Sequence, residues 1–234
     1  MSSFTLRLLA LALMCVDHAG LALFPAVPAF RWVGRLAFPL YCFLIAQGYR
    51  HTRDLRAYAR RLLLFALLSE IPFDLLIFGR VASMVEQNAL FALLLALLAL
   101  YVADALRGRP VLLVASLLAL CMGAMLARVS YGWLGIALCL CFHLLYERRG
   151  AMLLSAAGAL LLYTASLFLS GVNVGWATAS LFALAALPLL LLYNGKRGPR
   201  VPVLTFLFYA AYPAHLLMLY ALRAARIVPP YLFG

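Results

Sequence analysis

Apolar residues run along this chain in long blocks broken by glycine, proline and arginine, without the polar stripe that a helix on a soluble core would show. Nine such runs, near 4–24, 33–49, 62–78, 89–106, 111–127, 132–146, 151–169, 175–193 and 201–222, predict about nine helices, with eight to ten as the range. A helix needs about 20 apolar residues to cross a bilayer, so the shorter runs imply end shifts of a few residues or local thinning. The run 33–49 is also short enough to be re-entrant. Pro72 lies inside the third run, where its missing N–H predicts a kink. No internal repeat or low-complexity linker interrupts the series, and no polar stretch is long enough for a soluble domain. The expected fold is all-α, a polytopic membrane helix bundle forming a single domain over residues 1–234.

Composition strengthens this picture. Of 234 residues, 68% are hydrophobic and 11% charged, against about half and a quarter in soluble domains. The net charge of +12 does not point to nucleic acid, because most basic residues fall in short connectors. With a cytoplasmic N-terminus, the inner side holds Arg7, Arg50, Arg53, Arg56, Arg60, Arg61, Arg107, Arg109, Arg148, Arg149, Lys196, Arg197 and Arg200. The outer side holds Arg31, Arg35, Arg80, Arg128, Arg223 and Arg226. This asymmetry predicts an N-in, C-out orientation. Cys15, Cys42, Cys121, Cys139 and Cys141 all fall in apolar runs and read as small hydrophobes rather than as redox or metal groups. The first run resembles a secretory signal, but an ionisable pair interrupts it and further spans follow, so an uncleaved helix is expected.

That pair is Asp17-His18. An ionisable side chain near the bilayer centre costs about 2.5–3.5 kcal/mol on insertion scales and marks a functional candidate. At 1.5 Å per residue His18 lies roughly 21 Å from the cytoplasmic start of its helix, and His215 in the ninth run reaches about the same depth. Asp74 sits near that layer, and Glu70 precedes it by four residues on the same helix face. Asp17 and His18 are consecutive and point in different directions, which gives His18 to a cavity and Asp17 to a neighbouring cation such as Arg35. The bland alternative is that these groups only pair and fix helix packing. Arg35 either binds an anion or stabilises an oxyanion, or it snorkels at the interface. His215 is either a site residue or a hydrogen-bonded packing histidine. His143 reads as interfacial and His51 as solvated.

The connector from Arg50 to Arg61 carries five arginines. Arg53, Arg56 and Arg60 recur at helical spacing and suit one face of an interfacial helix. This is either a topology anchor touching anionic lipid or a cradle for the phosphates of a cytosolic nucleotide-like ligand. No Walker loop, dinucleotide fingerprint or zinc-ligand spacing is present.

Several stretches together resemble the TraX family, named for a conjugative-pilin N-acetylase. They are Asp17-His18, Gly34-Arg35-Leu36-Ala37-Phe38-Pro39-Leu40, Gly48-Tyr49-Arg50-His51-Thr52-Arg53 and Glu70-Ile71-Pro72-Phe73-Asp74. With them go Tyr193-Asn194-Gly195-Lys196-Arg197-Gly198, Phe208-Tyr209, Tyr212-Pro213 and His215-Leu216. The family looks like a short relative of the transmembrane acyltransferases. In the acyltransferase-3 branch an arginine and a histidine separated by ten residues mark the first helix, and Arg7 and His18 match that spacing. The resemblance implies acetyl transfer from cytosolic acetyl-CoA, without a metal, to an amine or hydroxyl acceptor at or beyond the bacterial inner membrane. That acceptor is a protein, glycan or small molecule, pilin being the one for which the family is named. His18 would be general base or acyl carrier, and Asp17 would orient or balance it. Arg7, Arg35, Arg50, Arg53, Glu70, Asp74, Tyr212 and His215 would contribute to substrate or donor binding. The contrasting class is a transporter or scaffold using buried charge as a proton relay, although paired inverted repeats are not evident.

Overall fold

The structure, a computed structural model, describes residues 1–199 and 202–225. Arg200 and Arg226, both used in the charge asymmetry, lie outside the described residues. The helices are α1 (Ser3–Leu23), α2 (Ala29–Gly34), α3 (Ala37–His51), α4 (Leu55–Phe78), α5 (Ala89–Ala105), α6 (Pro110–Leu126) and α7 (Trp133–Leu144). They continue with α8 (Arg149–Leu169), α9 (Val174–Leu181), a 3-10 turn (Phe182–Ala185), α10 (Ala186–Leu191) and α11 (Pro202–Ala224). Among the described residues, four stretches are long and apolar enough to cross a membrane: Ser3–Leu23, Ala29–His51, Arg149–Leu169 and Val174–Leu191. The all-α bundle expected from the apolar runs is what the chain forms.

Three boundaries differ from expectation, each for a local reason. The second run is divided at Arg35-Leu36 into α2 and α3. The eighth run passes through a 3-10 turn six to three residues before Pro188, which has no N–H to offer the preceding turn. The arginine-rich connector largely becomes the start of α4, because the Asp54 carboxylate accepts the Ala57 N–H at 2.8 Å and caps the helix. Arg56, Arg60 and Arg61 therefore sit on α4. Arg53 lies in the bend before it, not on a shared interfacial helix.

The chain divides into two compact units. The first comprises Met1–Leu40, Leu68–Ser83 and Leu160–Gly234; the second comprises Tyr41–Leu67 and Met84–Ala159. In the first unit α1 packs against α2 and α11, and α2 also meets α9 and the 3-10 turn. The buried stripe of α1 includes Leu6, Ala10, Leu13, Asp17 and Gly20 at spacings of three and four, so the carboxylate replaces an apolar residue on the packing face. Two glycines allow close approach there. A Cβ on Gly34 would lie 2.3 Å from Asp17 Cβ, and one on Gly20 would lie 2.3 Å from Phe30 Cβ. Small residues at such contacts are how membrane helices gain packing, since burying apolar surface against other apolar surface gives little drive in lipid. The start of α1 is also tied to the segment leading to α11: Ser3 N–H donates to Lys196 O at 2.8 Å and Phe4 N–H to Arg197 O at 3.2 Å.

In the second unit α5, α6 and α7 pack on one another. Phe43 and Phe142, both buried, meet edge to face at 5.6 Å, and Cys139 Sγ donates to Cys42 O at 3.3 Å. Asn88, fully buried, caps α5 through Leu90 N–H and donates to Ala66 O at 2.8 Å.

Candidate active site

In the first unit the two histidines from opposite ends of the chain are brought into contact. His18 Nδ1 and His215 Nε2 are 2.7 Å apart. The ring centroids are 4.9 Å apart and the planes differ by 28°. The contact distance plus the two ring radii accounts for that separation, so the imidazoles lie edge to edge and nearly coplanar, as an N–H···N bond requires. Tyr212, one turn before His215, closes on both rings at 6.1 and 5.5 Å in edge-to-face geometry. His215 is 7% exposed and His18 is half-buried.

The tautomers follow from one further bond. His215 Nδ1 lies 2.8 Å from the carbonyl oxygen of Ala211, one turn back on α11. A carbonyl only accepts, so His215 Nδ1 carries a hydrogen, and neutral His215 presents a lone pair at Nε2. His18 Nδ1–H then donates to it, leaving the His18 Nε2 lone pair as the remaining base of the pair. That nitrogen has no hydrogen-bond partner among the described residues.

Asp17 turns away from the histidines into the α1–α2 contact. Its Oδ2 accepts from Arg31 Nη1 at 2.7 Å and from Arg35 Nη2 at 3.5 Å, and Arg31 Nη1 also reaches Asp17 O at 3.2 Å. Arg31 is thus the principal partner, and Arg35, the cation expected from the sequence, is the secondary one. The two arginines are four residues apart at the end of α2, and Trp176 of α9 lies under both, 4.7 Å from Arg31 and 5.8 Å from Arg35. Two guanidinium groups thus meet one carboxylate, at the residue preceding His18.

Two other expected site residues of this unit, Arg7 and Asp74, have places of their own. Arg7 is half-buried on α1, and eleven residues return it to nearly the His18 face, about 16 Å away along the axis. Asp74 is 3% exposed, and its Oδ2 accepts the Ser83 N–H at 2.7 Å, fixing the loop after α4 rather than meeting the histidines. Glu70 is half-buried on α4.

The second unit contains a cluster that sequence reading did not assemble. Asp104 lies in the last turn of α5 and is a fourth acidic residue within an apolar helix. Its Oδ2 accepts from Tyr49 Oη at 3.0 Å and its Oδ1 from His143 Nε2 at 3.2 Å, so His143 is bonded rather than merely interfacial. Arg50 donates to His143 O and to Glu147 Oε1, both at 3.2 Å, and lies 4.1 Å over the Tyr146 ring. These residues line a cavity of about 770 Å³ with Thr52, Arg53 and Arg107. Both carboxylates are engaged by Arg50 and Arg107, whereas exposed Arg53 has no partner among the described residues. The cavity therefore carries one uncompensated cation and falls in the size range of small-ligand sites. Of this cluster, the i, i+3 pair Asp104–Arg107 was the one readable signal. Among the described residues no group of three His, Cys, Asp or Glu is placed to hold a metal ion.

An all-helical bundle with apolar helices of membrane-crossing length, holding an imidazole pair between its first and last helices, defines a polytopic membrane protein with a buried polar centre. The chain belongs to the TraX family, whose model, described as TraX protein, matches residues 2–223. It is 31% identical over 235 residues to the Probable fimbrial assembly protein FimC, serogroup H1, of Dichelobacter nodosus, covering 93% of this chain and 94% of that protein. No solved structure matches.

Proposed function

We propose that this protein is an acetyltransferase of the bacterial inner membrane with its N-terminus in the cytoplasm, moving an acetyl group from acetyl-CoA to an amine or hydroxyl acceptor. The family resemblance and the fimbrial name of the relative favour the N-terminal amine of a pilin as acceptor. The observation that carries the reading is the 2.7 Å histidine pair, which leaves His18 Nε2 as a lone-pair base one residue from the cluster of Asp17 with Arg31 and Arg35.

In the reaction the neutral acceptor nitrogen attacks the thioester carbonyl while His18 Nε2 takes a proton from that nitrogen. The new N–C bond forms, the C–S bond breaks, and His18 returns the proton to the departing sulfur. An α-amino group has a pKa of about 8, and an imidazole lone pair within hydrogen-bond reach can take its proton as the new bond forms. Arg35, beside Asp17, supplies positive potential for the oxyanion that forms on the carbonyl oxygen. The donor's phosphates do not enter hydrocarbon, and the arginine-rich stretch from Arg50 to Arg61, in which Arg53 is exposed, suits their charge.

The test is CoA release from acetyl-CoA by purified protein with an amine acceptor. His18→Ala is expected to lower kcat by roughly 10²–10⁴-fold. Arg53→Ala is expected to raise KM for acetyl-CoA about tenfold with kcat unchanged, the size of one lost charge-assisted contact. Full turnover by folded His18→Ala protein would refute the reading.

A further inference from the structure

His215 was expected to contact substrate, yet both of its ring nitrogens are already committed, Nδ1 to Ala211 O and Nε2 to His18 Nδ1. It has no nitrogen left for a ligand. We infer that His215 is a positioning and charge-sharing residue that fixes His18 as the Nδ1–H tautomer, so that Nε2 is the nitrogen that exchanges protons with substrate. The inference rests on the proposed reaction for the purpose it serves, and on geometry alone for the tautomer.

The chain of bonds has one direction. Ala211 O holds the hydrogen on His215 Nδ1, His215 Nε2 accepts from His18 Nδ1, and His18 Nε2 is left open. Which nitrogen of an imidazole carries its hydrogen is set by the bond the other ring atom makes. When Nε2 of His18 gains a proton, the imidazolium charge is stabilised through the Nδ1–H···Nε2 bond, and this hydrogen is shared toward His215. When the proton leaves to the thiolate, the original arrangement returns. No proton is lost or gained by the pair over the cycle. Tyr212 packs edge-on against both rings and restricts their rotation.

The decisive measurement is the histidine ¹⁵N spectrum of the resting protein without donor or acceptor, with the His18 signals assigned against His18→Asn protein. The expected result is Nδ1–H at His18 in the native protein, changing to the Nε2–H form in His215→Leu. Kinetics supply the second readout. His215→Leu should lower kcat by roughly 10²-fold or more with KM for acetyl-CoA unchanged, as when a catalytic histidine loses the partner that sets its tautomer. His215→Gln, whose Oε1 accepts from His18 Nδ1 but cannot share the charge, should recover part of that loss. A native His18 protonated on Nε2 overturns the inference, and so does a His215→Leu protein that keeps kcat and loses only substrate affinity. The two readings fail separately. Absent turnover with the Nδ1–H tautomer in place counts against acetyl transfer, and turnover with the Nε2–H tautomer counts against the role of His215.

Discussion

Asp17 illustrates how one residue can be correctly singled out, with Arg35 rightly named as a partner, while a second and shorter contact, to Arg31, goes unseen. Its burial, at 8% exposure, and its need for a cation were both readable from its place in an apolar run. Arg31 was not found because an arginine at the end of a span serves equally well as a topology anchor, and only the turn into α2 aims it back at α1. The pairing makes a definite energetic prediction. Asp17→Ala takes from largely buried Arg31 the carboxylate it bonds at 2.7 Å, and losing one partner of a buried pair costs about 3–5 kcal/mol. Thermal unfolding in detergent should show a large drop for Asp17→Ala, and much of it should be recovered in Asp17→Leu combined with Arg31→Met. Equal stability of Asp17→Ala and native protein would remove the structural role. Asp104 and His143 were missed for a related reason. Each sits near a helix end, where polar residues are ordinary, and their bond joins α5 to α7 across 39 positions of sequence. By contrast, the histidine pair was half legible, since two imidazoles at matching depth in the first and last apolar runs could be placed in one layer by arithmetic alone.

At the scale of elements, most helix spans follow from the apolar runs because arginine, glycine and proline punctuate them. What the runs do not reveal is an internal break without punctuation, as at Arg35-Leu36, or a helix that begins in a charged stretch. Arginine is a good helix former, and the Asp54 cap carries α4 through residues that composition alone assigns to a connector. The α1–α2 contact is the most sensitive element pair. Gly34→Ala would place a methyl 2.3 Å from Asp17 Cβ and 2.4 Å from its Oδ1. The helices would have to separate, with a cost of about 1–3 kcal/mol for an overpacked contact, and the Arg31–Asp17 bond would lengthen. Gly34→Ala is expected to lower the melting temperature and, through the displaced α1, the rate of the proposed acetyl transfer. A Gly34→Ala protein with native stability and rate would show that the close approach is dispensable.

For the whole molecule, the exposed apolar residues on several helices, such as Leu64, Leu67, Leu118, Leu154 and Leu162, are what a lipid-facing surface requires rather than a liability. Orientation is the global property that charge asymmetry decides. Reporter fusions within 107–109 and 194–198 should both report the cytoplasm if the positive residues set the topology. If they fall on opposite sides, an odd number of crossings separates them, and the N-in arrangement fails between those points.

The backbone bonds from Ser3 and Phe4 to Lys196 and Arg197 have a mechanical consequence. The segment that grips the start of α1 precedes α11 by only a few residues of sequence, so chain length there bounds the offset between the two helices that carry His18 and His215. One extra residue after Arg197 would let α11 slide along or rotate against α1, and a step of 1.5 Å is more than half the imidazole contact distance. Spacing in a surface loop would then tune the chemistry far below it.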